Sequence, residues 1–198
     1  MGSYPHVIEN GGGERLTFLG VRRGEDGHGY LDVTNEVKPG SGPPFHVHYL
    51  QQETITVTEG RVGYQVLGGP EQFAGPGETV TFAPGQIHRF WNAGAGVLKC
   101  RGAASPPLNF EYFLTELFAS MQRADGRNPS PLDMAFLLGR YRTEFGVGMI
   151  PAPVQKFVFP VMRVIGRVTG RYRRFAGAPA PAAAPADTRS RRTPAPTG

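Results

Sequence analysis

Residues 40–60 read GSGPPFHVHYLQQETITVTEG, and the fold is decided there. His46 and His48 stand two apart. Side chains alternate along a β-strand, so the two imidazoles share a face and Val47 takes the other. Glu53 brings a carboxylate a few residues on, and Gly60 closes the run. A fourth arm appears in FAPGQIHRFWN, residues 82–92, where His88 follows a Pro-Gly turn. Three histidine nitrogens and one carboxylate oxygen form a ligand set for a divalent transition metal. Iron, manganese, nickel, cobalt, copper and zinc all suit it, and ligand type alone does not choose among them. The competing reading is a closed tetrahedral zinc that only braces the fold. Glu53 is also the candidate catalytic group, as a ligand that leaves the metal to act as general base.

Around this stretch lie short apolar segments: LTFLGVR, YLDVTNEV, FHVHYL, ETITVTEG, RVGYQVLG, ETVTFAP, HRFWNA and VLKCRG, punctuated by Gly, Pro, Asn and Asp. Evenly spaced short strands predict an all-β sandwich or barrel. Alternation puts Ile55 and Val57 on the face of Glu53, and Val62, Tyr64 and Val66 repeat the period. If the metal arms point inward, Val57, Tyr64, Phe82 and Phe90 are candidate substrate-binding residues, with plain core packing as the alternative for each. Tyr64 stands out because a buried phenol needs a partner for its hydroxyl. Arg89 and Arg101 face outward in this register, and a slip of one residue would turn them in.

Gly40, HVH, Glu53 and Gly60 together resemble the first cupin motif, and Gly77, Gly85, His88 and Asn92 the second. The proline usual two residues before the second motif's turn glycine is replaced by Ala83, with Pro84 beside it. The resemblance spans about residues 20–105 and implies a single-domain cupin of the RmlC-like kind. Its fold would be a double-stranded β-helix, or jelly-roll barrel. The family's activities are broad, including dioxygenases, isomerases, decarboxylases, polyketide cyclases and non-enzymatic binders. Retention of all four ligands favours metal chemistry. An apolar and aromatic interior favours an aromatic or apolar small molecule over a sugar phosphate. The expected function is a metalloenzyme of dioxygenase or cyclase type, with a non-catalytic ligand-binding or regulatory cupin as the alternative. A homodimer is implied by the resemblance.

The remaining chain divides by composition. Residues 1–14, ending in three glycines, read as a flexible lead-in, and 15–106 as the barrel. Residues 107–175 read as an extension of two or three helices packed on the barrel or on a second subunit. Phe110, Phe113, Leu114, Leu117, Phe118 and Met121 form a helical stripe, with Asn109 as cap. A second helix is predicted over 131–145, with Ser130 as cap and Pro131 in its first turn. Residues 151–175 are amphipathic and basic, interrupted by Pro160. Docking on the chain's own domain is the favoured reading, ahead of contact with an anionic membrane surface. Residues 176–198, rich in Ala and Pro, predict a disordered tail whose removal leaves the melting temperature nearly unchanged.

The net charge of +5 is concentrated at one end. Six of the 21 basic and one of the 16 acidic residues fall in 171–198, leaving 15 of each before them. Nothing here predicts specific nucleic-acid binding. The single cysteine, Cys100, excludes an internal disulfide. No segment reads as a secretory signal or membrane span, so a cytoplasmic protein is expected. The Ala, Gly, Pro and Arg bias suggests a GC-rich bacterial source.

Overall fold

The structure, a computed structural model, describes residues 3–124, 126, 128–148 and 153–183. Eleven strands are present among them: β1 His6–Glu9, β2 Glu14–Arg23, β3 Gly29–Val37, β4 His46–His48, β5 Gln52–Glu59 and β6 Val62–Val66, then β7 Gln72–Ala74, β8 Thr79–Phe82, β9 His88–Asn92, β10 Leu98–Ser105 and β11 Phe145–Val147. The helices are α1 Phe110–Gln122, α2 Pro131–Arg140 and α3 Phe159–Val168. One sheet runs β1-β2-β3-β10-β5-β8 and the other β11-β4-β9-β6-β7, with antiparallel pairing. This is the double-stranded β-helix followed by helices that the sequence implied.

Register fixes the inner face. Leu16 pairs with Asn35, which pairs with Cys100; Val33 pairs with Gly102, and Gly102 with Ile55; Glu53 lies between Ala104 and Phe82. Cross-strand partners point the same way, so these residues form the floor of the barrel. One apolar cluster fills one end with Val37, Val57, Val62, Val80, Phe82 and Leu98. The other joins Leu16, Phe18, Leu31 and Val33 to Phe110, Phe113, Leu137, Tyr141 and Phe175. The helices therefore pack on the barrel's own open end.

Four expectations need correction. Of the expected loose lead-in over 1–14, residues 3–14 are ordered into the fold: β1 pairs with β2 over four positions, and Tyr4 and His6 reach Glu111 of α1 at 2.7 and 2.8 Å. Asn10 makes the hairpin by accepting from Gly12 N and Glu14 N. Neither expected cap is formed, since no side-chain capping bond is made at Asn109 or Ser130. Asn109 instead donates to the buried Glu144 carboxylate at 2.7 Å. The helix expected over 131–145 stops at Arg140, because Phe145–Val147 pair with β4 as a barrel strand. The extension thus lends a strand to the barrel.

Pro160 is accommodated in the first turn of α3 by a wider helical turn, Val154–Val158, where Phe159 N reaches Val154 O. That spacing, one residue longer than the α-helical bond, absorbs the missing donor. The helix docks on α2, with Gly166 under the Tyr172 ring where any side chain would collide. Val161, Val164, Ile165 and Val168 face outward. Among the described residues no helix is long and apolar enough to cross a membrane.

The last correction concerns the tail. Residues 176–183 lie along α2, held by their main chain. Arg140 donates to Ala178 O and Pro179 O at 2.9 and 2.8 Å, Thr143 to Ala182 O at 2.8 Å, and Ala182 N to Glu144 at 2.8 Å. Composition hid this because the attachment uses backbone polar groups and no large side chain. Residues 184–198 lie outside the described residues.

Candidate metal centre

Strand pairing assembles the centre. His46 lies directly opposite His88 across β4 and β9. Gly85, with φ +81° that favours glycine, turns the chain into β9 and donates to His48 O at 2.7 Å, tying the two strands together. His46 Nδ1 lies 2.9 Å from Pro44 O, and His88 Nδ1 lies 2.8 Å from Gln86 O. A carbonyl only accepts, so both Nδ1 atoms carry the proton and both Nε2 atoms face inward. Phe82 stacks on the His88 ring at 3.8 Å and 9°. Phe110 and Phe145 flank His48 at 5.1 and 5.6 Å, so the extension also supports a candidate ligand.

The three Nε2 atoms converge on one carboxylate oxygen. Glu53 Oε2 is 3.0 Å from His88, 3.3 Å from His48 and 3.9 Å from His46. One ligand atom from each of the four lies within 4.8 Å of the others. Burial, reinforced by the neighbouring His48, pushes His46 down to about 3, keeping it neutral. Burial works to raise the Glu53 carboxyl, but the His48 and His88 rings against it prevail and hold it well below the usual carboxylate range. A neutral imidazole at His46 and an ionised carboxylate at Glu53 are protonation states that metal ligation requires. Nε2 of the buried His48 has no hydrogen-bond partner, an orphaning that an ion would relieve. The residues fit a divalent metal.

Three of the four, His46, His48 and Glu53, border a cavity of about 590 Å³. Leu16, Val33, Ile55 and Phe90 line it from the barrel, with Phe113 and Leu117 among its lining from α1. Of the four substrate-binding candidates, only Phe90 reaches it. Val57 is buried in the other apolar cluster, and Phe82 is occupied by the His88 stack. The Tyr64 hydroxyl donates to Gln72 Oε1 at 3.0 Å, so its partner is a neighbouring side chain and no cavity group. These three share the inward face but lie away from the cavity; strand period alone does not say where along the barrel the space opens. Arg89 pairs with Glu71 and Arg101 with Asp32 on the outer surface. The α1 stripe, read as packing, also walls the cavity.

Glu14 and Asn35 were missed, and both line the cavity. The signal was present: in ERLTF, Glu14 shares a face with Leu16 and Phe18, and in VTNEV, Asn35 shares one with Val33 and Val37.

Residues 33–100, which contain all four candidate ligands, match the cupin domain family. That stretch of the barrel, β3 to β10, is similar to a cupin domain. Within it, Gly60 and Gly77 take positive φ at turns, as the cupin motifs imply. Asn92 closes the second motif, donating to Val37 O and Gly96 O at 2.7 Å each and accepting from Gly94 N at 2.8 Å. No curated protein sequence matches the chain. Among solved structures, an uncharacterised double-stranded β-helix protein from Klebsiella pneumoniae is 22% identical, covering 54% of this chain and 82% of that one, with a TM-score of 0.40. An RmlC-like cupin from Shewanella frigidimarina is 20% identical over 54% and 87%, with a TM-score of 0.44. The polyketide cyclase RemF from Streptomyces resistomycificus is 22% identical over 52% and 78%, with a TM-score of 0.42.

Proposed function

We propose that this cupin is a metal-dependent enzyme of dioxygenase or cyclase type, acting on an aromatic or apolar small molecule inside the barrel. The observation that carries the reading is the placement of the three-histidine, one-carboxylate cluster on the wall of a largely apolar cavity. A structural brace needs no adjoining space, whereas a reacting centre does.

His46, His48, Glu53 and His88 would hold the ion. When bound, it supplies Lewis acidity, and redox chemistry if the metal is redox-active. Phe90, Ile55 and the α1 phenylalanines bind the apolar body of the substrate and exclude water from it. Pro44 O and Gln86 O fix the tautomers of His46 and His88, so neither ring competes for the substrate's proton at Nδ1. Glu53 is the group to accept that proton at its carboxylate. It borders the cavity beside the three histidines.

The test is incubation of the metal-loaded protein with a panel of flavonols and polycyclic phenols, in air and under argon, with products read by mass spectrometry. Gain of both atoms of dioxygen in air supports the dioxygenase reading, and loss of water under argon supports the cyclase reading. Either activity should disappear in His88→Ala. A panel left unchanged under both conditions overturns the proposal.

A further inference from the structure

The cavity has a second polar pole, built by residues that no cupin motif includes. Asn35 is 9% exposed, faces the cavity, and its Oδ1 is buried without a hydrogen-bond partner. A buried acceptor left unpaired is costly and calls for a donor. Glu14, also 9% exposed, accepts from Asn10 Nδ2 at 3.1 Å, and the Asn35 amide lies against it. Asn10 is itself pinned, since its Oδ1 accepts from Gly12 N and Glu14 N at 2.7 and 3.1 Å. The Glu14 carboxyl is therefore held in place. Among the described residues it makes no ion pair.

Between this pole and the metal centre the floor is open. Asn35 lies two strands across and four residues along from Glu53, and Gly102 stands between them on β10, flanked by Val33 and Ile55. A side chain at Gly102 would meet only main-chain oxygens, at 3.5 and 3.9 Å. A flat ring system can cross that gap with one end at each pole.

We infer that Asn35 and Glu14 take the hydroxyl group of a hydroxylated aromatic ligand whose rings lie across Gly102. The inference rests on the reading that the cavity takes an aromatic substrate, and it adds the substrate's polar end. Asn35 Oδ1 is an acceptor and needs a donor, which a phenol or enol supplies. Among the described residues no lysine or arginine lines the cavity, so they offer a carboxylate or phosphate no counter-charge at this pole. Burial pushes Glu14 up to about 7, with Asn35 opposing and Glu53 reinforcing the rise. A carboxyl with that value both donates and accepts near neutral pH, matching a hydroxyl, which does the same.

The experiment is titration of the full chain, metal bound, with 2-naphthol, 2-methylnaphthalene and 2-naphthoate, read by ligand fluorescence. The hydroxyl should tighten binding about tenfold over the methyl analogue, the worth of one buried hydrogen bond, and 2-naphthoate should bind weakest. Asn35→Leu, with its fold checked by circular dichroism, should cancel the preference and keep 2-methylnaphthalene binding and metal content. Glu14→Gln should preserve the preference, because an amide still donates and accepts. Gly102→Leu should abolish binding of all three probes with metal retained. Equal binding of 2-naphthol and 2-methylnaphthalene to the native protein, or a preference that survives in Asn35→Leu, overturns the pole alone. Failure of both to bind overturns it together with the aromatic-cavity reading. Metal content, measured separately, reports on the centre.

Discussion

Replacing Asp133 by Asn tests how the helical layer is fastened over the cavity. The carboxylate sits at the start of α2 with no exposed surface. It accepts from Ser120 Oγ at 2.7 Å, Arg171 Nε at 3.0 Å, Arg174 Nη1 at 3.3 Å and Arg123 Nη2 at 3.4 Å. It thereby joins α1, α2 and the turn that carries Phe175 into the core. The arginine side chains are 31–44% exposed, so water screens each pair and receives the guanidinium when the charge is removed. The loss should fall below the ~3–5 kcal/mol of a fully buried pair, at about 2–3 kcal/mol. With a urea slope of ~2–3 kcal/mol/M, the unfolding midpoint should drop by about 1 M. A drop under ~0.3 M would refute the reasoning.

The pH dependence follows the same carboxylate. Burial would raise it, but Arg171, Ser120 and Arg174 hold it below the ordinary carboxylate value. A group depressed on folding contributes fully above its unfolded value and loses that contribution as pH falls through its folded one. The midpoint difference between native and Asp133→Asn protein should therefore persist from about pH 8 to about pH 5 and close only in stronger acid.

Other outcomes are expected together. Phe82→Ala should cost ~3–4 kcal/mol from the void left by a side chain with 1% exposure. By freeing the His88 ring it should also weaken metal binding by about tenfold or more, read by competition with a chelating dye; unchanged affinity would deny the stack its role. Deleting residues 176–198 removes the bonds from 178–182 to Arg140, Thr143 and Glu144, and should lower the melting temperature by about 3–8 °C, checked by calorimetry. No change would show that the strap contributes nothing. Cys100 is 4% exposed, and burial pushes its thiol up to about 12. Ellman's reagent at pH 8 should react with the native protein at least ~100-fold more slowly than in urea, and equal rates would place the thiol in solvent.

The candidate metal ligands were legible because strand periodicity and turn glycines are local, and HVH, Glu53 and His88 carry both on their sleeves. The helical stripe of α1 was equally plain. What escaped was tertiary. β11 has three residues, too few for a period, and is a strand only because β4 offers an edge. The strap over 176–183 binds through carbonyls that composition does not register. Tyr64 and Phe82 were placed on the inward face, yet Gln72 and His88 take up their functional surfaces. Glu14 and Asn35 were readable from alternation but were passed over, since a polar residue in a strand looks like an outward one until its neighbours are counted.

Elemental analysis of the purified protein beside its His48→Ala variant tests the central claim most directly. The account expects near-stoichiometric divalent transition metal in the native protein and loss of most of it in the variant, with the fold retained by circular dichroism. Equal metal content in the two, or none in the native protein after reconstitution with iron, manganese, nickel, cobalt, copper and zinc in turn, would contradict it.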